Sequence, residues 1–126
     1  MTKKIINTKN APAPIGPYSQ AIMVDNTLFV SGQIAINPAN NQLILDNIIE
    51  ETKQVMQNLK AILTEAGLDF SNIIKTSIFL SDMNNFASVN EVYGSYFKSD
   101  FPARETVAVK TLPKNVNVEI SVIATK

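Results

Sequence analysis

The run from Ile73 to Leu80 constrains this chain most. It reads as a β-strand, yet it carries apolar residues on both faces: Ile74, Ile78 and Leu80 on one, Ile73 and Phe79 on the other. A half-exposed strand alternates apolar with polar residues, whereas one covered on both sides does not. Only two other segments show helical periodicity. The longer has apolar residues at Ile48, Ile49, Val55, Met56, Leu59, Ile62, Leu63 and Ala66, with Asp46 as its expected N-cap and Gly67 as its C′ residue. The shorter is capped by Asn84 or Asn85 and presents Phe86, Val89, Tyr93, Tyr96 and Phe97 along one side. Two helices cover one face of a sheet, so the other face needs a second cover. An oligomer supplies it.

The remaining segments read as strands or connections. Tyr18–Val24 and Thr27–Ile34 flank a turn at Asp25-Asn26. Asn37 to Gln42 is a polar loop. Arg104–Thr111 and Val116–Ala124 are the last two strands, joined by Leu112 to Asn115. In the last one Val116, Val118, Ile120, Val122 and Ala124 alternate with Asn117, Glu119 and Ser121. Lys3 to Ile6 offers a further strand. Prolines at 12, 14 and 17 remove three backbone donors, so the segment from Ala11 to Pro17 is an extended connection. The order is β-β-α-β-α-β-β, an α+β pattern with no internal linker, and the 126 residues read as one domain spanning 1–126.

Composition narrows the chemistry. The chain has no Cys, no His and no Trp, which excludes a thiol nucleophile, a Ser–His–Asp triad, a disulfide framework and any zinc site built on Cys or His. Eleven basic residues balance eleven acidic ones, so no bulk charge steers the chain to nucleic acid or an anionic membrane. No apolar run approaches the ~20 residues that span a bilayer, and the lysine-bearing amino terminus lacks a signal-peptide core. A cytoplasmic protein is the expectation.

Carboxylates, hydroxyls, amides, Lys and a single Arg remain. Arg104 is that arginine, beside ten lysines. Its planar fork suits either a structural ion pair or a ligand's carboxylate or phosphate. Glu119 lies mid-strand among apolar neighbours, on a solvated face or in a pocket that perturbs it. If the strands of Arg104 and Glu119 form one hairpin, the two residues stand roughly 13 Å apart and line two ends of one site. Tyr18 after Gly16-Pro17, Ser31-Gly32 at a strand end, and Asn90 on the second helix admit both packing and site roles. With four glycines, the chain holds no Gly-rich phosphate loop.

Taken in order, Ile15-Gly-Pro-Tyr-Ser-Gln-Ala21, Val30-Ser-Gly-Gln-Ile34, Phe86-Ala-Ser-Val-Asn-Glu-Val-Tyr93, Pro102-Ala-Arg-Glu-Thr-Val107, Leu112-Pro-Lys114 and Val118-Glu-Ile120 resemble the RidA subgroup of the Rid family of reactive intermediate deaminases. The resemblance runs nearly end to end. It implies a chorismate-mutase-like α+β fold, two helices on one face of a mixed sheet, and a homotrimer with a barrel-like core and sites in the clefts between subunits. It implies hydrolysis of 2-imino acids or their enamine tautomers, such as 2-aminoacrylate and 2-aminocrotonate, to 2-oxo acids and ammonia, without cofactor or metal. By position, Arg104 clamps the substrate carboxylate and Glu119 holds or activates water. Tyr18, Ser31, Gly32 and Asn90 line the pocket, as does Thr106, mainly through its backbone. Glu105 departs from the family pattern, where a small residue commonly follows the arginine; alternation turns it away from Arg104. The alternative function is a non-catalytic trimer that binds small carboxylic acids. A third, RNA cleavage, suits poorly a chain with no basic stripe and no imidazole.

Overall fold

The computed structural model describes residues 2–126. Ten elements follow in chain order: β1 (Lys3–Ile6), β2 (Ala21–Val24), β3 (Thr27–Gln33), β4 (Ile36–Asn37), β5 (Gln42–Leu43), α1 (Ile48–Glu65), β6 (Ile73–Leu80), α2 (Phe86–Gly94), β7 (Ala103–Ala108) and β8 (Val118–Thr125). Six strands form one sheet in the order β1-β2-β3-β8-β6-β7, and β4 and β5 form a two-stranded ribbon. All neighbours in the large sheet are antiparallel except β6 and β7, so the sheet is mixed. Both helices pack on one face. The core beneath them joins Val55, Leu59, Ile62 and Leu63 of α1 and Val89 and Tyr93 of α2 to Leu28, Val30, Ile78, Leu80, Val118, Ile120 and Val122 of the sheet. No helix among the described residues is long and apolar enough to cross a membrane.

Helix α1 begins one residue later than expected. Asn47, not Asp46, is its N-cap, with the side-chain oxygen accepting from the Glu50 amide at 2.9 Å. Its end is as read: Gly67 takes φ +77°, the Gly67 amide donates to Thr64 and the Leu68 amide to Leu63, both at C=O. That is a Schellman closure, in which a left-handed glycine satisfies carbonyls left over by the last turn. At α2 the N-cap position is Asn85, but its side chain makes no cap bond; Asp82 instead caps the short 3₁₀ turn that leads in.

The hairpin expected of the last two strands does not form. Strand β7 pairs in parallel with β6 through the α2 crossover, whereas β8 lies on the other side of β6. The strand β2 also starts later than expected, at Ala21, because Tyr18 to Gln20 belong to the preceding connection. Finally, a bulge between Ile73 and Lys75 shifts the register against β8. It buries Ile73 and leaves Ile74 exposed, so Ile74 does not share a face with Ile78 and Leu80.

The face away from the helices keeps an apolar row. Ile22 pairs with Ile5 and with Phe29, and Phe29 pairs with Ile123. Ile5 is 61% exposed and Phe29 47%, and Val107 further along that face is 43% exposed. Two helices leave these groups uncovered, as the helix count predicts.

Candidate active site

The arginine is held by one side of α2. Phe86, Asn90 and Tyr93 follow at helical spacing and present one face to Arg104 of β7. The Arg104 Nη1 donates to Asn90 Oδ1 at 2.7 Å. Its guanidinium carbon lies 5.3 Å from the Tyr93 ring centre and 5.7 Å from that of Phe86, within reach of cation–π attraction. Tyr93 is itself fixed: its hydroxyl donates to Thr76 Oγ1 at 2.9 Å, and Thr76 is the residue paired with Arg104 across β6 and β7. Burial pushes the Tyr93 hydroxyl above its ordinary value, against the smaller opposing effects of the Thr76 bond and the Arg104 charge. Thr106, two residues along the same face, has a buried hydroxyl oxygen with no hydrogen-bond partner.

Glu119 lies elsewhere. It pairs with Phe79 on β6, while Arg104 pairs with Thr76, and their strands flank β6 on opposite sides. Two strand spacings and three residues put the two Cα atoms roughly 14 Å apart. Arg104 faces the helices, with Thr76. Glu119 is out of phase with the buried Val118 and Ile120 and faces the open side. Within one chain these two residues therefore do not share a cleft, which corrects the two-ended site inferred from a hairpin.

The Glu119 carboxyl packs on the Gly32 backbone. A Cβ at position 32 would lie 2.7 Å from the carboxyl carbon and 3.0 Å from Cγ of Glu119. Only glycine permits that approach. Gly32 and Ser31 sit at a bulge where β3 slips against β8 between Val30 and Gln33, so the pair is both a bulge and the seat of the carboxyl. Ser31 ties this bulge to the preceding connection: its hydroxyl donates to Ser19 C=O at 2.6 Å and its amide to Gln20 C=O at 2.9 Å. Half-buried, Glu119 has its carboxyl pushed above the ordinary value by loss of water. Tyr18 is exposed on that connection, its amide donating to Gly16 C=O at 2.8 Å. Glu105 turns to the open side, as alternation predicts. It pairs with Lys75 Nζ at 2.7 Å and accepts from Ser77, and these bonds hold its carboxyl below the ordinary value.

Two supporting residues carry no sequence signal beyond polarity at a buried position. Glu51 of α1 is fully buried and accepts from the Asn117 amide at 2.7 Å, the Asn117 side chain at 2.8 Å and the Val118 amide at 3.2 Å. It thereby anchors the start of β8, just before Glu119. Gln20 accepts from the Thr8 amide at 2.7 Å and donates to the carbonyls of Thr8 and Pro12. It supplies the pairing that the proline-rich segment cannot find in a sheet.

Comparisons with known proteins agree with one another. A mouse protein named 2-iminobutanoate/2-iminopropanoate deaminase is 48% identical over 122 residues, spanning 97% of this chain and 90% of that one. A bovine protein of the same name is 49% identical over 124 residues, spanning 98% and 90%. A crystal structure of a Yersinia pestis protein of unknown function from the conserved Rid family superposes with a TM-score of 0.97 at 49% identity, covering 99% of this chain and all of that one. The family model described as endoribonuclease L-PSP matches residues 8–126, and the chain belongs to that family, the Rid family.

Proposed function

We propose that this protein hydrolyses 2-imino acids, or their enamine tautomers, to 2-oxo acids and ammonia. The observation that carries the reading is the pair of unlike sites on one sheet: a single arginine braced for a carboxylate, and a half-buried carboxyl seated on a glycine with its proton affinity raised. Relatives named 2-iminobutanoate/2-iminopropanoate deaminase, close to half identical over nearly the whole chain, support the same chemistry.

In this reading Arg104 holds the substrate carboxylate through its remaining donors, since Asn90 engages one nitrogen. Glu119 accepts a proton from water as the water oxygen bonds to the imine carbon. It passes that proton to the nitrogen to give a carbinolamine, then takes the hydroxyl proton and delivers it to the amine nitrogen as the C–N bond breaks, so that the carbonyl forms and ammonia leaves. A carboxyl whose proton affinity burial has raised above its ordinary value suits these transfers. Ser31, Gly32 and Tyr18 flank Glu119, while Thr106 and Asn90 flank Arg104. Because these two groups lie on opposite faces about 14 Å apart, the complete site uses Arg104 of one copy and Glu119 of another. A homotrimer closing over the open sheet face covers Ile5, Phe29 and Val107 and brings the groups together. The residues at this site need no cofactor or metal for the steps given. A cytoplasmic protein with itself as partner, and neither nucleic acid nor membrane, fits a neutral chain of this kind.

The test couples a pyridoxal-phosphate dehydratase to this protein and follows the transient imine absorbance. Faster decay with the protein present, together with a trimeric mass in sedimentation, is expected. A monomer at micromolar concentration, or binding of 2-oxo acids without any acceleration, would reject the hydrolase and leave a carboxylate-binding protein.

A further inference from the structure

The bulge that seats Glu119 also leaves β8 short of a neighbour. Pairing between β3 and β8 slips between Val30 and Gln33 and ends where Gln33 meets Ile120. Val118 and Glu119 therefore have no partner on β3, although β6 pairs with both on the other side. Val118 is fully buried, and a buried amide left without an acceptor is destabilising. Glu51 supplies the missing acceptor. From the first turn of α1 its Oε2 accepts from the amides of Asn117 and Val118, and its Oε1 from the Asn117 side chain. Ser81, just past β6, ties in at the same point: its hydroxyl donates to Asn117 Oδ1 at 3.2 Å and its amide to Asn117 C=O at 3.1 Å. All three groups that face Glu51 are N–H donors, so an acceptor-only carboxylate meets them without conflict. Glu51 is fully buried, and among the described residues no Lys or Arg pairs with it. The three donors and the positive end of α1 stand in place of a cation.

We infer that Glu51 is a positioning residue for Glu119: by standing in for the missing strand it fixes the start of β8, and with it the carboxyl that rests on Gly32. The inference rests on the imine-hydrolase reading for its kinetic consequence, but the placement of Glu119 can be followed without substrate. The tolerance is small. The Val118 amide that Glu51 holds is one residue from Glu119, and a Cβ at position 32 would lie 3.0 Å from Glu119 Cγ. A shift of β8 toward β3 meets the Gly32 backbone, and a shift away returns the carboxyl to water. Arg104 lies on β7, beyond β6 from this contact, and its partner Asn90 belongs to α2. Loss of Glu51 therefore acts on proton transfer and spares the carboxylate anchor.

The experiment compares wild type with Glu51→Gln, Glu51→Asp and Glu51→Leu. It measures imine turnover and, separately, the NMR titration of the Glu119 carboxyl carbon, its signal assigned with Glu119→Gln. Glutamine removes the charge and keeps an acceptor of the same reach, whereas aspartate keeps the charge and withdraws it by one methylene. Leucine removes the acceptor altogether. Leucine and aspartate should each lower kcat by about 10–100-fold, the scale of an ångström-size misplacement, with KM and 2-oxo acid affinity within about 3-fold of wild type. In both, the Glu119 titration should move down toward the ordinary 4.5 as the carboxyl regains water. Glutamine should keep both readouts near wild type. If the leucine variant does not fold, aspartate, which retains a carboxylate in the first turn of α1, decides alone. Unchanged kcat and titration in a folded leucine or aspartate variant would overturn the inference. Equal losses in glutamine and leucine, with aspartate unaffected, would overturn it too, since Glu51 would then act through its charge and not through position. A wild type without turnover would reject the hydrolase reading, while the titration would still decide whether Glu51 places Glu119.

Discussion

Arg104 and Glu119 lie on the two faces of one sheet, and they are prepared in different ways. The arginine is fully arranged within a single chain. One helix face gives it the Asn90 side-chain oxygen as acceptor and the rings of Phe86 and Tyr93, and Tyr93 is pinned in turn by Thr76. Glu119 of β8 packs on the β3 bulge on the opposite face, and burial alone moves its proton affinity. A preorganised fork is what a binding anchor needs, since rotamer freedom lost in advance is not lost again on binding. A carboxyl with depleted solvation and no paired cation is what a proton carrier needs. The contrast also shows why neither element is a site by itself: the sheet separates them.

Substitutions that alter one face at a time sharpen this contrast. Glu119→Gln keeps the shape and removes the proton carrier. It should lower imine turnover by about 10²–10⁴-fold, the usual worth of a positioned acid–base group. Affinity for a 2-oxo acid should change much less, because Arg104, and not Glu119, holds its carboxylate. Retention of full hydrolysis in this variant would remove Glu119 from the mechanism. Arg104→Lys acts in the opposite sense. Charge is kept while the fork and its stacking are lost, so kcat/KM should fall by roughly 10–100-fold, as expected when a charged hydrogen bond of ~1.5–3 kcal/mol goes. The loss should appear in KM and in 2-oxo acid affinity. Wild-type affinity in that variant would make Arg104 a purely structural residue.

Much of this arrangement is legible in the amino-acid sequence, and the parts that are not share a cause. Periodicity identifies α1 from its stripe, β8 from strict alternation, and Gly67 as the residue that ends α1. It also predicts the apolar row that the two helices leave exposed on the other face. Periodicity marks faces, however, and not neighbours. Arg104 and Glu119 lie on strands adjacent in sequence, and a hairpin is the simplest connection between such strands. The α2 crossover instead makes β7 a parallel partner of β6. The connection through Lys114 and Asn115, both at φ 56°, carries the chain past β6 to the other side. Hydrogen-bond partners are hidden for the same reason: nothing in Glu51 or Gln20 announces that one anchors β8 and the other the proline-rich segment. Asn47 and Asp46 are both able caps, and one residue of phase decides between them. The family resemblance names the site residues, but only the topology shows that they divide between two faces.

That division can be tested directly by mixing. Arg104→Lys keeps an intact Glu119, and Glu119→Gln keeps an intact Arg104. If each site takes one residue from each of two neighbours, trimers reassembled from equal amounts of the two variants pair both intact residues in about one site in four, by the symmetry of a closed ring. Activity at substrate concentrations below KM should then recover to roughly a quarter of wild type, above either parent alone. Reassembly that restores nothing would place both residues of a site in the same copy.

The smallest effect concerns stability, and its sign separates the two faces again. Burial raises the Glu119 carboxyl above its ordinary value of 4.5 in the folded protein. Between that ordinary value and the raised one, the folded state binds more protons than the unfolded state. Stability must therefore fall as pH rises through this window, and the penalty is complete once the carboxyl is ionised in both states. Glu119→Gln removes the ionisation and should unfold at a slightly higher temperature than wild type at neutral pH. The advantage should fade as pH falls through the window, and vanish below the ordinary carboxylate range. Arg104→Lys should show no such pH dependence, since its charge persists throughout. Thermal melts of the three proteins from pH 4 to pH 8 make the comparison. A Glu119→Gln advantage that grows toward acid would mean that a favourable partner, and not lost solvation, governs this carboxyl, and the contrast with the braced arginine would then fail.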